Sequence, residues 1–286
     1  MPAKLPVDLA GLRGRHPQHF RRFGPSQRAT VGVATILFGL LVLGMAHLGF
    51  FNERILHGIG RLGEVVALML PPTPGDWAHF RLYCVSLLET VAIALLGTMT
   101  AAVLALPLGL LAARNVTTAR IVRFFSRRSL DTIRSVDMLV WALIWINVVG
   151  LGPFAGALAI MTADIGSFGK LYSEAIEAAD RKPVDGITAS GGGRILGVRF
   201  GILPEVFPVM ASQVLYYFES NTRSATIIGI VGAGGIGLHL AEALRTLEMQ
   251  QAAFIILMIL VAVAAIDYVS AQLRFGLIGK KGIAPT

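Results

Sequence analysis

Two long apolar runs in the first half of the chain indicate helices that cross a membrane. Residues 29–51 contain no Asp, Glu, Lys or Arg, and residues 90–113 also lack them, with Pro107 near the end of the second run. A bilayer-spanning helix needs about 20 predominantly apolar residues, and both runs exceed that length. We therefore predict a first span at 29–51, which lacks the short apolar core and cleavage site of a removable signal peptide, and a second span at 90–113.

The apolar run at 138–163 is predicted to contain two spans rather than one. It is flanked on both sides by basic residues, which favour the cytoplasmic face of a membrane. They are Arg114, Arg120, Arg123, Arg127, Arg128 and Arg134 before it, and Arg181, Lys182, Arg194 and Arg199 after it. Two cytoplasmic loops require an even number of crossings between them. The glycines and proline at 150–153 then supply an external turn between a third span near 135–149 and a fourth near 154–171.

The remainder of the chain supplies two more crossings. A fifth span is predicted to begin at 204–217 and becomes polar at 219–223, and the glycine-rich stretch 225–241 after it is predicted to be external or re-entrant. Backbone of that kind is stable at membrane depth only where protein or a water-filled cavity satisfies its polar groups. The last span is predicted at 249–266. Six crossings in total place both termini in the cytoplasm.

The composition supports an integral membrane protein. Hydrophobic residues make up 55% of the chain and charged residues 15%, with a mean hydropathy of +0.69, which leaves too few charges to coat a soluble globule. The predicted fold class is an all-α polytopic membrane protein with six transmembrane helices and cytoplasmic tails at 1–28 and 276–286. The net charge of +8 follows from basic cytoplasmic loops. We therefore expect the chain to contact membrane lipid and not to bind nucleic acid. The single Cys84 excludes an intramolecular disulfide.

Residues 174–208 form a long polar stretch between predicted spans, which we call the polar segment. After an acid-rich turn, Pro183 is suited to the first turn of a helix, where its missing N–H is not needed. Val184 and Ile187 follow at helical spacing, and the glycines at 191–193 end the pattern. The polar segment therefore predicts a short amphipathic cytoplasmic helix between two membrane spans.

The polar segment resembles the cytoplasmic coupling loop of binding-protein-dependent ABC importer permeases. Counting back from a Leu-Pro pair at 203–204, the resemblance places the family's acidic position on Asp185 and its glycine on Gly191. Asp185 replaces the family's Glu, and Gly201 stands where the family has Ile. Glu177, which precedes two alanines, lies at the wrong spacing. The ATPase-coupling residues that the resemblance implies are Asp185, Gly186, Ile187, Ala189, Gly191, Leu203 and Pro204.

A second stretch is similar to the phosphonate branch of the same family. It comprises the polar run 217–226 and the glycine-rich run 231–237, and together the two matches extend the resemblance over residues 83–275. The resemblance implies a type I ABC importer permease domain with a coupling loop at 174–204, in a bacterial inner membrane, that moves phosphonate or a related phosphorus oxyanion. It also implies a homodimer, two cytoplasmic ATPase subunits that hold ATP and Mg, and a periplasmic or extracellular substrate-binding protein.

The candidate pathway or gate residues are polar and glycine positions within or beside the predicted spans. They are Glu89, Glu219, Ser220, Asn221, Arg223, Gly232, Gly234 and Gly235. An ionisable residue at membrane depth is costly and therefore suggests function. Glu219 and Arg223 are four residues apart on one helical face, and they predict either a gate-forming ion pair or, for Arg223, contact with the anion. The stretch 219–223 is expected at the outer end of the pathway.

The sequence offers no support for an enzyme. The glycines at 232–237 match the pattern GxGxxG, but a dinucleotide site also needs a soluble βαβ unit and an acid about 20 residues further on. No Walker sequence, metal-binding spacing or catalytic triad occurs, so we expect a partner to hydrolyse ATP and expect no cofactor or metal in this chain. The alternative function is an ion-coupled secondary transporter of a small anion, with Glu89 as its intramembrane acid. Glu89 would otherwise make a polar contact between helices.

Overall fold

The protein is described by a computed structural model that covers residues 25–50 and 54–278. Most of both predicted cytoplasmic tails lies outside these ranges. Within them every regular element is a helix, and no strand occurs. The all-α fold class predicted from the sequence is therefore confirmed for the described residues.

The chain divides into two units, and the first of them is residues 1–67. It contains α1 (Pro25–His47) and almost all of α2 (Arg54–Leu68). Residues 29–47 of α1 are apolar, and none of them is buried within the protein. A helix that is apolar on all sides is typical of a membrane span, so α1 accounts for most of the first predicted span. α2 is amphipathic. Its apolar residues recur at helical spacing among charged ones, so a search for uncharged runs does not detect this helix.

The second unit, residues 68–286, contains the other helices. Their bounds are α3 (Trp77–Ala112), α4 (Arg120–Ser135), α5 (Met138–Val149), α6 (Pro153–Ala178), α7 (Lys182–Ala189), a single turn at Arg194–Leu196, a π-helix at Gly197–Ile202, α8 (Leu203–Ile230), α9 (Ile236–Arg245) and α10 (Met249–Ile278). Just before α3, Asp76 accepts a hydrogen bond from the backbone N–H of His79 at 2.8 Å. This bond holds the pKa of the Asp76 carboxyl below its ordinary value.

Four helical stretches among the described residues are long and apolar enough to cross a membrane. They are α1, α3, the continuous helix that includes α8, and α10. α4 and α5 together make a fifth candidate, which is bent by 90° at the break between them. α6 has 26 residues, enough for the fourth predicted span at 154–171, although Asp164 and Lys170 interrupt its apolar sequence.

The third predicted crossing, near 135–149, corresponds to α5, which is shorter than the prediction. α5 alone has 12 residues, which is roughly 18 Å of helix and shorter than the ~30 Å apolar core of a bilayer. α4, whose arginines predict a cytoplasmic loop, is instead a helix that meets α5 at a bend of 90°. Those arginines alternate with apolar residues at helical spacing, and counting charges alone misses that amphipathic periodicity.

The fifth crossing is longer than the sequence predicts. α8 continues through the polar run 219–223 as far as Ile230, so residues 225–230 are helical rather than external or re-entrant. The helix satisfies its own backbone there, as membrane depth requires. The chain then turns at residues 231–235 and enters α9. α6 likewise extends beyond its predicted end, to Ala178.

α3 and α6 pack so closely that glycine is required at two positions. A Cβ atom added at Gly97 would lie 2.7 Å from Ile160 Cβ, and one added at Gly109 would lie 2.8 Å from Tyr172 Cβ. Both distances are shorter than van der Waals contact. Such small-residue contacts allow membrane helices to associate by close packing, because lipid provides little hydrophobic driving force between them.

α4 packs against α6 through Leu130, which is buried. A Cβ atom added at Gly169 would overlap the side chain of Leu130, with Cδ1 at 2.9 Å. A Cβ atom added at Gly166 would instead lie 2.7 Å from the backbone N of Arg134. Gly169 therefore leaves room for a side chain of α4, and Gly166 leaves room for the backbone of α4.

We predict that Gly169→Ala destabilises the protein by about 1–3 kcal/mol, the usual cost of overpacking, because its methyl group overlaps Leu130. In a Leu130→Ala background the same change should cost much less, because the overlapping atoms are absent. Gly166→Ala is the matched control, since it meets backbone atoms that Leu130→Ala does not remove. Thermal unfolding of the detergent-purified variants measures each cost, and an equal penalty for Gly169→Ala in both backgrounds would contradict this packing.

Candidate functional site

The helix predicted in the polar segment is α7. Pro183 lies in its first turn together with Asp185, whose carboxylate interacts favourably with the helix dipole. Gly191 has a φ of +81°, and its N–H donates to the carbonyl of Thr188 at 3.0 Å, while the following N–H donates to the carbonyl of Ile187 at 2.9 Å. A glycine in the left-handed conformation thus ends α7, which confirms the predicted helix end.

One face of α7 is open. Asp185, Gly186 and Ala189 are exposed, Ile187 is half-buried, and no residue of α7 is fully buried. A Cβ atom added at Gly186 would meet nothing within 4 Å. Three of the implied coupling residues therefore share an accessible face of one short helix.

The other face of α7 rests on the π-helix through Val184. A Cβ atom added at Gly201 would lie 2.9 Å from Val184 Cγ2, and one added at Gly197 would lie 3.2 Å from Val184 Cγ1. We call this contact between Val184, Gly197 and Gly201 the α7 seat. It gives a physical reason for the glycine at 201, because a larger side chain there would push α7 away from the π-helix.

The polar segment is also tied to the start of α8. Leu203 and Pro204 begin α8 directly after the π-helix, and the backbone N–H of Asp180 donates to Glu205 Oε1 at 3.0 Å. α7 is thus joined to α8 by chain continuity, by the α7 seat and by this hydrogen bond. A displacement of α7 is therefore expected to displace the start of α8.

Glu177, whose spacing excludes it from the coupling residues, connects α6 with α4 and with the end of α3. It lies near the end of α6, accepts a hydrogen bond from the backbone N–H of Arg114 at 2.6 Å, and forms an ion pair with Arg127 of α4. Arg127 Nε also donates to the carbonyl of Ala112, the last residue of α3, at 2.9 Å. Sequence reasoning misses this junction because Arg127 and Arg114 lie 50 and 63 residues from Glu177.

Glu219 and Arg223 form the predicted pair within α8, with Arg223 Nη2 at 3.4 Å from Glu219 Oε1. The structure adds two residues of α10. Arg274 Nη2 donates to Glu219 Oε2 at 3.0 Å, and Arg223 Nη1 lies 3.7 Å from Asp267 Oδ1. The side chain of Glu219 is 11% exposed and that of Arg223 is 46% exposed. These two acids and two bases balance in charge, and we call them the α8–α10 ion network.

The ion network lies along the middle of α8, and its location at the outer end of the pathway stays a prediction. α8 continues beyond Arg223 to Ile230, and both partners on α10 lie in its C-terminal half, toward the predicted cytoplasmic tail. Ser220 is half-buried and follows Glu219 directly. Sequence reasoning misses Arg274 because a base near the end of the chain is counted only as a marker of the cytoplasmic face.

Asn221 lies between helices rather than in an open pathway. It is 2% exposed, and its Nδ2 donates to Thr98 Oγ1 of α3 at 2.8 Å and to Asp164 Oδ2 of α6 at 2.5 Å. A single amide therefore links α3, α6 and α8. Sequence reasoning misses Asp164, although a carboxylate inside the predicted span 154–171 was the available signal.

The glycine-rich turn after α8 is packed inside the protein. Gly232, Gly234 and Gly235 have φ values of +104°, +82° and +76°, which other residues rarely adopt. A Cβ atom at Gly234 would lie 2.7 Å from the backbone N of Pro153, and one at Gly235 would overlap the hydroxyl of Thr90. The next N–H in the chain donates to that hydroxyl at 2.8 Å. Protein thus surrounds this turn and satisfies part of its backbone.

Glu89 lies one residue before Thr90 and is half-buried. The candidate residues therefore separate into four places: α7 and its end, the start of α8, the middle of α8, and the glycine-rich turn with its neighbours on α3. Across residues 25–50 and 54–278, no group of three or more His, Cys, Asp or Glu side chains is placed to hold a metal ion.

Residues 105–275 match the family described as binding-protein-dependent transport system inner membrane component. The chain is 33% identical over 269 residues to the phosphite transport system permease protein PtxC of Stutzerimonas stutzeri, which covers 93% of this chain and 97% of that protein. It is also 37% identical over 190 residues to the phosphate-import permease protein PhnE of Mycolicibacterium smegmatis, which covers 66% of this chain and 36% of that protein.

The fold is similar to that of a chain in the inward-facing MetNI methionine ABC transporter. The TM-score is 0.61 at 16% sequence identity, and the match covers 71% of this chain and 99% of that chain. At this identity the likeness concerns the fold alone. It confirms the predicted importer permease type of helical bundle.

We predict that Asn221→Ala destabilises the protein by about 1–3 kcal/mol, because it leaves the buried Asp164 without its donor. Asn147→Ala is the matched control. Within the described part of the chain, the Asn147 side chain donates only to the carbonyl of Leu143 in its own helix, at 2.8 Å and in an exposed position. Its loss should therefore cost about 0.5 kcal/mol or less. Thermal unfolding in detergent compares the two, and similar penalties would show that the Asn221 amide does not join the helices.

Proposed function

Because the chain belongs to the family of binding-protein-dependent transport system inner membrane components, we propose that it is the membrane-spanning permease subunit of an ABC importer. It moves phosphonate, phosphite or a related phosphorus oxyanion into the cytoplasm, and relatives named for phosphite transport and phosphate import support that substrate class. The observation that carries the proposal is α7, an exposed helix seated on the π-helix that leads into α8, within the region that matches the family.

The permease works with partners that supply energy and substrate. Two ATPase subunits on the cytoplasmic side hold ATP and Mg, and this chain, which has no Walker sequence, itself performs no chemistry. A periplasmic or extracellular binding protein delivers the anion. Two copies of the chain form a homodimer with the pathway between them, and both termini face the cytoplasm.

Movement of α7 drives the change of access. Closure of the ATPase dimer shifts the docked α7, and the α7 seat and the bond from Asp180 to Glu205 transmit that shift to α8. α8 carries the ion network along its length and the glycine-rich turn at its end. One continuous helix therefore connects the cytoplasmic dock with both candidate gate regions.

The α8–α10 ion network acts as a latch in this movement. Its charges are paired across two helices, and separating them leaves unpaired charges at membrane depth, which is costly. The latch holds the resting arrangement until ATPase closure moves α8. The pairing of Arg223 with both Glu219 and Asp267 favours this role over direct contact between Arg223 and the transported anion.

Uptake into vesicles that contain the permease, its ATPase and its binding protein tests the proposed function. Uptake of radiolabelled phosphite should require both ATP and the binding protein. Gly191→Val should reduce it at least tenfold, because valine is strained at this φ and alters the end of α7. Asp185→Lys should have a similar effect, because it places a base in the first turn and on the docking face.

Gly193→Val is the matched control for this test. Gly193 has a φ of −77°, and a Cβ atom added there meets nothing within 4 Å, so uptake should stay near the wild-type rate. Normal uptake by both Gly191→Val and Asp185→Lys would reject α7 as the dock. Uptake driven by an ion gradient without ATP would instead support a secondary transporter.

Neutral variants of the ion network separate a latch from an anion contact. If the network is a latch, Glu219→Gln and Arg223→Gln should each raise ATPase activity severalfold in the absence of binding protein, because each weakens the resting state. If Arg223 contacts the anion, Arg223→Gln should nearly abolish uptake while Glu219→Gln preserves or raises it. ATPase and uptake rates that match wild type in both variants would remove the network from the mechanism.

A further inference from the structure

The start of α4 carries a basic surface that the transport mechanism does not use. A hollow of about 630 Å³ there is lined by five arginines together with Ile121, Phe124 and Phe125. The arginines are Arg114, Arg120, Arg123, Arg127 and Arg128. Four of them lie on α4, and Arg114 precedes that helix in the chain.

Most of this positive charge is not neutralised by the described protein. Arg127 is paired with Glu177, and Arg128 lies 3.7 Å from Asp131, which also accepts a hydrogen bond from Lys170 at 3.2 Å. The guanidinium groups of the three remaining arginines at this surface make no hydrogen bond or ion pair with another described residue. Those three are Arg114, Arg120 and Arg123. The surface therefore offers unpaired donors to an anion.

Large apolar side chains stand between these arginines. Ile121 is 73% exposed, Phe125 is 64% exposed and Phe124 is 57% exposed, and the Arg128 guanidinium lies 5.7 Å from the centre of the Phe124 ring. A small hydrated anion would satisfy the arginines and leave the rings in water. A ligand that covers both must itself be amphiphilic, with a negative group and an apolar chain.

The position of the surface fits the headgroup level of a membrane. Arg127 donates to the carbonyl of Ala112, the last residue of α3, and Arg114 follows two residues later, where the apolar span has ended. Basic residues immediately beside the cytoplasmic end of a span meet the anionic lipids of that leaflet. The rings of Phe124 and Phe125 are then level with the upper part of the acyl chains.

We propose that this surface is a binding site for an anionic phospholipid of the cytoplasmic leaflet. The phosphodiester lies among Arg114, Arg120 and Arg123, and an acyl chain covers Phe124 and Phe125. This site is independent of the proposed transport function, because it requires neither α7 nor the ion network.

Titration of the full chain, purified in detergent, with phosphatidylglycerol tests the site, and native mass spectrometry counts the bound lipid. The double variant Arg120→Gln, Arg123→Gln should weaken phosphatidylglycerol binding by about thirtyfold, since each of the two bases near a membrane surface contributes on the order of 1 kcal/mol. The double variant Arg181→Gln, Arg199→Gln is the matched control. It also removes two exposed cytoplasmic arginines, and it should bind phosphatidylglycerol as the wild type does.

Several results would overturn the proposal. If both double variants weaken phosphatidylglycerol binding equally, the lipid is attracted by overall charge and not by a specific site. If the wild type binds phosphatidylcholine as well as it binds phosphatidylglycerol, the apolar groups alone hold the lipid. Competition by inorganic phosphate would assign the arginines to a free anion. If the Arg120→Gln, Arg123→Gln variant binds lipid as before but no longer binds the ATPase, the surface is a binding site for the ATPase. Gel filtration of each variant confirms that it remains folded.

Discussion

The side-chain amide of Asn221 is the contact on which the arrangement of the bundle depends. At membrane depth a polar group must find its partner within the protein, and this amide serves Thr98 and Asp164 together. Hydrogen bonds of this length are possible only if α3 and α6 approach closely, which the glycines between these helices permit. The bonds then set the register of α8 against both neighbours, so the positions of the other groups on α8 follow from them.

α8 brings together features that lie far apart in the sequence. Its 28 residues extend roughly 42 Å at the helical rise. They begin directly after the π-helix that carries the α7 seat, pass the ion network and end at the glycine-rich turn. Pro208 interrupts its hydrogen bonding near the start, between the seat and the network. The first turns of α8 can therefore change their angle to the rest of the helix as α7 moves.

The sequence predicts the parts of this architecture that depend on local patterns. The helical class, the spans and the end of α7 at Gly191 all follow from apolar runs, charge and turn chemistry, and these rules act over a few residues. The contacts that join distant segments do not follow from them. From the sequence, Arg274 indicates only the cytoplasmic face, and its contact with Glu219 is visible only in the packing of α10 against α8. Similarly, the contact of Asp164 with Asn221, 57 residues away, is visible only in the folded structure.

Amphipathic helices at the membrane boundary are a further class that local rules misassign. The arginines of α4 predict a loop when they are counted and a helix when their period is considered. Both descriptions use the same residues, but only the second accounts for the exposed rings between them. Composition thus indicates the face of the membrane, whereas periodicity indicates the structure formed there.

The α7 seat also limits the order in which this sequence can change. Val184 and Gly201 occupy a single small volume, so a bulkier residue at 201 is compatible with a docked α7 only after residue 184 has become smaller. The reverse order passes through an intermediate whose coupling helix is displaced. Positions 184 and 201, which are 17 residues apart in the chain, are therefore linked. We expect substitutions at these two positions to be fixed together among descendants of this protein.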